Sequence, residues 1–182
     1  MKSSSQDIFR EVDLLDVISF DHHATLSVSQ RIKKSLDYQS VDFQIIRSYL
    51  GDLKEFFRTR NEVFYKLLSL HTKLDFELEE IKGINIKMME LLAESDSHLI
   101  ENKSFQRYLR KVVSALKKYI QLEKNLFFDY LRTEVDQNIL KNYVQVYLNK
   151  RTMTIYDVTS FLLNSKKKRV WTELPQSMDL LH

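Results

Sequence analysis

Two glycines and one proline in 182 residues leave this chain almost without turn formers. A sandwich or barrel reverses direction every few residues and draws on such residues to do so, whereas long helices need few of them. The scarcity predicts an all-α chain. Its length suits one domain with a substantial core, and 43% hydrophobic with 29% charged residues is a globular balance.

Apolar residues recur three and four apart through four long segments. The first runs from about Gln6 to Leu36, with Ile8, Val12, Leu15, Ile18, His22 and Leu26 on one side. Asp37 to Ser40 reads as a connection, and Ser40 can cap a second helix carrying Ile46, Leu50, Leu53, Phe57, Arg60, Phe64, Leu67 and His71. The third, from about Lys73 to Glu94, carries Leu74, Leu78, Ile81, Asn85, Met88 and Leu92, slightly weakened by Gly83. After Ser95-Asp96-Ser97-His98, the fourth places Phe105, Leu109, Val112, Leu116, Tyr119, Glu123, Leu126 and Tyr130 in one stripe. Val135 to Lys150 and Ile155 to Leu163 read as shorter amphipathic helices, ending in Ser165-Lys166-Lys167-Lys168-Arg169 and a tail containing Pro175.

Connections this short force consecutive helices to lie side by side in opposite directions. The expected architecture is an antiparallel up-down four-helix bundle with a short C-terminal helical extension. The bundle and the helix after it take residues 1–150, and a C-terminal helix with a basic tail takes 151–182.

Composition also excludes several functions. Without cysteine there is no disulfide framework, thiolate metal site or cysteine nucleophile. No apolar run is long enough to cross a bilayer, and Met1-Lys2-Ser3-Ser4-Ser5 followed by Asp7 and Glu11 is not a signal peptide, which predicts a cytoplasmic protein with no membrane span. A formal charge of +3, spread among both signs, makes no case for nucleic acid. The basic patch Lys166, Lys167, Lys168 and Arg169 reads either as a site for anionic partners or as a solvated run after a helix, where cations are favourable. Phosphate-binding loops, a nucleophile elbow and His-Glu-x-x-His are missing, so no catalytic residue is assigned.

His22, Arg60, Asn85, Tyr119 and Glu123 interrupt the apolar rows at inward positions. A buried polar group left unpaired costs roughly 1–3 kcal/mol, and a charge more. The expectation is a buried polar cluster in which Arg60 pairs with Glu123 while Tyr119, Asn85 and His22 complete the hydrogen bonds. Each residue also has a plainer reading. Glu123 can sit near a bundle end or reach solvent. Arg60 can extend its head outward, with its stem on Phe56 and Phe64. Tyr119 can be a core aromatic, Asn85 can set helix register, and one of the adjacent His22 and His23 must face away from the other.

The pattern resembles the hemerythrin-like family of HHE cation-binding bundles. Its members carry a His on helix one, His-x-x-x-Glu on helix two, a His on helix three and His-x-x-x-Glu on helix four, holding two iron ions. Over residues 15 to 131, Phe56-Phe57-Arg58-Thr59-Arg60-Asn61-Glu62-Val63-Phe64 is similar to the helix-two motif, with Arg60 for the His and Phe64 for the Glu. Lys117 to Phe127 is similar to the helix-four motif, with Tyr119 replacing the His and Glu123 retained. Asp21-His22-His23 would supply helix one, and Asn85 would stand at the third helix's His.

The resemblance implies a degenerate site in which a fixed cation, Arg60, stands where the family has an imidazole. The function expected from it is a non-catalytic binding or regulatory module, without cofactor, working through a protein partner or self-association. A second register aligns Arg58 and Glu62 with His-x-x-x-Glu. It gives an alternative iron site of His22 or His23, Glu62, Glu79 or Glu80, and Glu123, for oxygen or iron handling.

Overall fold

The computed structural model describes residues 12–37, 43–71, 73–97 and 103–172, with backbone only at 37, 43, 96–97 and 165–172. Among these residues all regular structure is helical. Helix α1 spans Leu14–Asp37 and α2 spans Phe43–Thr59; a π-helical turn, Arg60–Phe64, leads directly into α3, Tyr65–His71. Then come α4 (Asp75–Ala93), a 3-10 turn (Glu94–Ser97), α5 (Lys103–Glu134), α6 (Gln137–Arg151) and α7 (Ile155–Thr172).

Side-chain caps set several of these limits. Asp13 and Asp16 exchange bonds, Asp16 N donating to Asp13 Oδ1 at 3.0 Å and Asp13 N to Asp16 Oδ2 at 3.3 Å. This reciprocal cap starts α1 at Leu14, so the helix expected from Gln6 is interrupted at Asp13. Thr154 and Asp157 repeat the device at the start of α7, and the Asp136 carboxylate caps α6 through Asn138 N at 2.7 Å. The Ser40 cap and Pro175 lie outside the described residues. The last helix runs on to Thr172, so Lys166, Lys167, Lys168 and Arg169 have helical backbone rather than forming a tail after it.

Helices α1, α2, α4 and α5 close a ring of contacts, α1 on α2, α2 on α4, α4 on α5 and α5 on α1. Leu53, Phe56, Phe57, Phe64, Leu92, Leu109, Val112, Leu116 and Phe127 are fully buried between them. The contribution of α1 differs from the expected stripe. Past His22 its buried residues are Thr25, Ser29, Ile32 and Leu36, while Leu26 is only partly buried. Helix α6 lies across α1, α2 and the π turn, and α7 packs on α1 through Phe161, 5.6 Å from Phe20 and 4.9 Å from His23.

Gly51 sits exposed within α2, where an added Cβ would meet nothing within 4 Å. Glycine inside a helix costs roughly 0.5–1 kcal/mol relative to alanine. Gly51→Ala is therefore expected to raise the unfolding free energy by about that amount in a urea titration; a loss of stability would mean that α2 is not a regular helix at this point.

Candidate functional site

Glu123 is the centre of the interior. Helix α5 carries it one turn beyond Tyr119, so both face the core with 0% and 1% exposure. Its two carboxylate oxygens have separate surroundings. Oε2 lies 2.6 Å from His22 Nε2 on α1 and accepts from Arg60 Nε at 3.1 Å. Oε1 accepts from the Tyr65 hydroxyl at 2.8 Å and the Tyr119 hydroxyl at 3.1 Å, and these two hydroxyls also touch each other.

The π turn makes this possible. Tyr65 N–H bonds to the Arg60 carbonyl, five residues back, and the wider turn brings Arg60, Phe64 and Tyr65 all into the core. Asn85 of α4 braces the same stretch. Its Nδ2 donates to the Phe57 carbonyl at 3.2 Å and to the Tyr119 hydroxyl at 3.4 Å, while its Oδ1 accepts from Asn61 Nδ2 at 2.9 Å.

Arg60 does not reach solvent. Its guanidinium is fully buried, with Cζ 4.4 Å from the Phe56 ring centre and 5.2 Å from that of Tyr147, and Nη1 donates to Asp21 Oδ2 at 3.4 Å. Asp21 is itself 1% exposed and links the cluster to α6, accepting from the Tyr147 hydroxyl at 2.6 Å and from Arg151 Nε and Nη2 at 2.9–3.1 Å. The carboxylates of Glu123 and Asp21 are thus matched by the guanidiniums of Arg60 and Arg151.

Burial alone would raise the Glu123 carboxyl. The Arg60 charge and the hydrogen bond from His22 outweigh it and hold the group down at about 2. Burial lowers His22 more than Glu123 raises it, so the imidazole is neutral, with its proton on Nε2 facing the carboxylate. Burial, reinforced by the Glu123 charge, raises Tyr65 and Tyr119 far above the usual phenol range, which keeps both as donors. Two buried atoms in the cluster, His22 Nδ1 and Arg60 Nη2, have no hydrogen-bond partner among the described residues.

All five expected cluster residues, His22, Arg60, Asn85, Tyr119 and Glu123, therefore lie in one connected network. The outward readings of Glu123 and Arg60 are corrected by their complete burial. The alternative metal set is not assembled. Glu62 is exposed on the outer side of the π turn, where Lys150 Nζ reaches it at 2.7 Å and lowers its carboxyl; Glu79 and Glu80 are exposed on α4, and His23 faces outward against Phe161. Among the described residues no three His, Asp or Glu side chains are grouped so as to hold a metal ion. The groups that meet at Glu123 are one imidazole, two phenol hydroxyls and a guanidinium, and a di-iron pair, which needs several imidazole and carboxylate ligands, does not fit them.

Tyr65, Tyr147 and Arg151 belong to the network without having been picked out in the sequence, and so does Asp21, which was named there only beside His22 and His23. Asp21, Thr25 and Ser29 do carry a signal, a polar row at steps of four, and Ser29 extends the row to the Tyr49 hydroxyl at 2.8 Å. Arg151, assigned to the extension beyond residue 150, is the last residue of α6. Comparison with protein-family models, curated proteins and solved structures finds no match to this chain.

The site sets a pH dependence. A group whose folded pKa is depressed stabilises the fold above its unfolded pKa and loses that contribution as pH falls towards the folded value. His22 therefore begins to cost stability below its ordinary 6.5, and Glu123 adds to the loss as pH falls from 4.5 towards about 2. Urea unfolding measured across pH should show stability falling in two stages below neutrality, with the upper stage diminished in His22→Gln. A flat profile from about half a unit above to about one and a half units below the ordinary imidazole value of 6.5 would contradict the buried neutral histidine.

Proposed function

We propose that this chain is a degenerate hemerythrin-like bundle, antiparallel and up-down in topology, in which Arg60 takes the electrostatic place of the metal ions. It acts in the cytosol as a non-catalytic binding or regulatory module, without a bound cofactor, through a protein partner or its own copies. The observation that carries this reading is the buried Arg60 guanidinium on Glu123 and Asp21, with Nε 3.1 Å from one carboxylate and Nη1 3.4 Å from the other. A guanidinium stays protonated at any physiological pH, so it neutralises buried carboxylates permanently and repels a divalent ion from the same space.

Two further features favour a binding role over chemistry. The Tyr65 and Tyr119 hydroxyls, the Asn85 amide and the His22 imidazole around Glu123 are buried, so none of these groups meets a reacting molecule at the surface. Large apolar side chains are exposed instead, Phe76 at 81% and Leu70 at 63%, on either side of the short α3–α4 connection. Among the described residues no helix is long and apolar enough to cross a membrane.

The test combines metal content with a double-mutant cycle. Protein expressed in iron-supplemented medium and purified without chelator is expected to hold no more iron than its buffer; near-stoichiometric iron would overturn the reading. Glu123→Leu alone leaves Arg60 short of a buried counter-charge and is expected to cost about 3–5 kcal/mol. With Arg60→Met added, Asp21 keeps Arg151 and Tyr147, and the loss should shrink by a coupling of roughly 1–3 kcal/mol. Equal destabilisation by the single and double variants would mean that Arg60 is not the charge balancing Glu123.

A further inference from the structure

The outward face of α5 carries one sign of charge over most of its length. Between Lys103 and Asn125 ten residues are exposed: Lys103, Arg107, Arg110, Lys111, Lys117 and Lys118 are basic, and the other four are two serines, a glutamine and an asparagine. None is acidic and none is apolar, and the helix exposes no acid before Asp129. Steps of three and four place these residues along one side of the helix, opposite the buried Leu109, Val112, Leu116 and Glu123. At a rise of 1.5 Å per residue the six cations extend over about 22 Å.

The neighbouring helices sharpen the asymmetry. Helix α5 packs between α1 and α4. Helix α1 exposes Arg31, Lys33 and Lys34 and carries no acid between Asp21 and Asp37. Helix α4 has the opposite character, five acids against two lysines, and Glu90 and Glu94 lie on either side of Leu91, whose carbonyl accepts from the Tyr108 hydroxyl of α5 at 2.8 Å. A net charge of +3 therefore conceals a basic face bordered by an acidic helix.

The composition of this face selects its partner. Protein interfaces are built on apolar or aromatic anchors, and membrane-surface helices insert apolar side chains below the headgroups. The exposed row offers neither. Single-stranded nucleic acid is held by stacking bases on exposed aromatics, whereas Phe105 and Tyr108 of α5 are buried. Lys, Arg, Ser, Asn and Gln share one capacity, the donation of hydrogen bonds to phosphate oxygens. A duplex carries one phosphate per about 3.4 Å on each strand, so a length of about 22 Å presents roughly six per strand to six cations.

We propose that the basic face of α5 binds double-stranded nucleic acid through its phosphates, without reading its sequence. This surface is separate from the Arg60–Glu123 network and does not depend on any relation to metal-binding bundles.

The experiment titrates the full chain into a fluorescently labelled DNA duplex of about 20 base pairs, between about 50 and 200 mM salt, and follows anisotropy. Binding is expected, with log affinity falling against log salt at a slope of about −3 or steeper, as release of counter-ions from at least three phosphates requires. No binding at the lowest salt, or a shallower slope, would overturn the proposal, and this arm needs no variant. Arg107→Gln, Lys111→Gln and Lys118→Gln combined should weaken binding about tenfold or more and flatten the slope by about 2. Lys166→Gln, Lys167→Gln and Lys168→Gln remove the same charge from α7 and should cost less; an equal or greater loss there would overturn the α5 assignment. Vesicles of phosphatidylserine and phosphatidylcholine that displace the duplex at equal phosphate concentration would also overturn it, in favour of a membrane surface.

Discussion

A carboxylate taken fully out of water must be given a counter-charge and hydrogen bonds, or it protonates. Desolvation of an ion in a protein interior costs several kcal/mol even after relaxation. Glu123 meets this requirement with four helical segments at once: His22 from α1, Arg60 from the π turn, Tyr65 from the start of α3 and Tyr119 from its own helix. The interior is arranged around that requirement. Arg60 cannot serve Glu123 without a further acceptor, which brings in Asp21, and Asp21 in turn draws in Tyr147 and Arg151. The result is a chain of alternating charge that runs from the centre of the molecule to the half-exposed Asp52.

Such a network contributes little net stability compared with an apolar core of the same shape, because desolvation offsets most of the attraction. Its effect is on specificity. The bonds to Glu123 and Asp21 have length and direction, so they allow one register of α1, α2, α5 and α6, where interlocking leucines tolerate neighbouring registers. The π turn belongs to the same requirement. It adds a residue to one turn of the helix, so that Arg60 and Tyr65 can both face Glu123 while Glu62 remains on the outside.

Much of this was legible in the sequence, for identifiable reasons. The long helices and the inward positions of residues 22, 60, 85, 119 and 123 follow from a 3.6-residue period, which survives single polar substitutions. Tyr65 was not legible, since no composition rule announces a π turn and a regular helix would carry it off the stripe. Thr25 and Ser29 were passed over, and Asp21 was noted only beside His22 and His23, because apolar periodicity favours Leu26, whereas the structure turns the polar row inward to meet Tyr49 and Arg151. Arg151 was out of reach for another reason: a period describes one helix, and nothing within α6 specifies which carboxylates lie beneath its last turn.

Exchange of arginine Nε–H protons with solvent, followed by 1H–15N NMR at neutral pH, tests the central claim most directly. If Glu123 and Asp21 are charged, buried and neutralised by guanidiniums, the Nε–H signals of Arg60 and Arg151 will exchange far more slowly than those of the other arginines, with Arg60 assigned by its loss in Arg60→Lys. A spectrum in which the Arg60 proton exchanges as fast as those of exposed arginines would contradict a closed charge network at the centre of this protein.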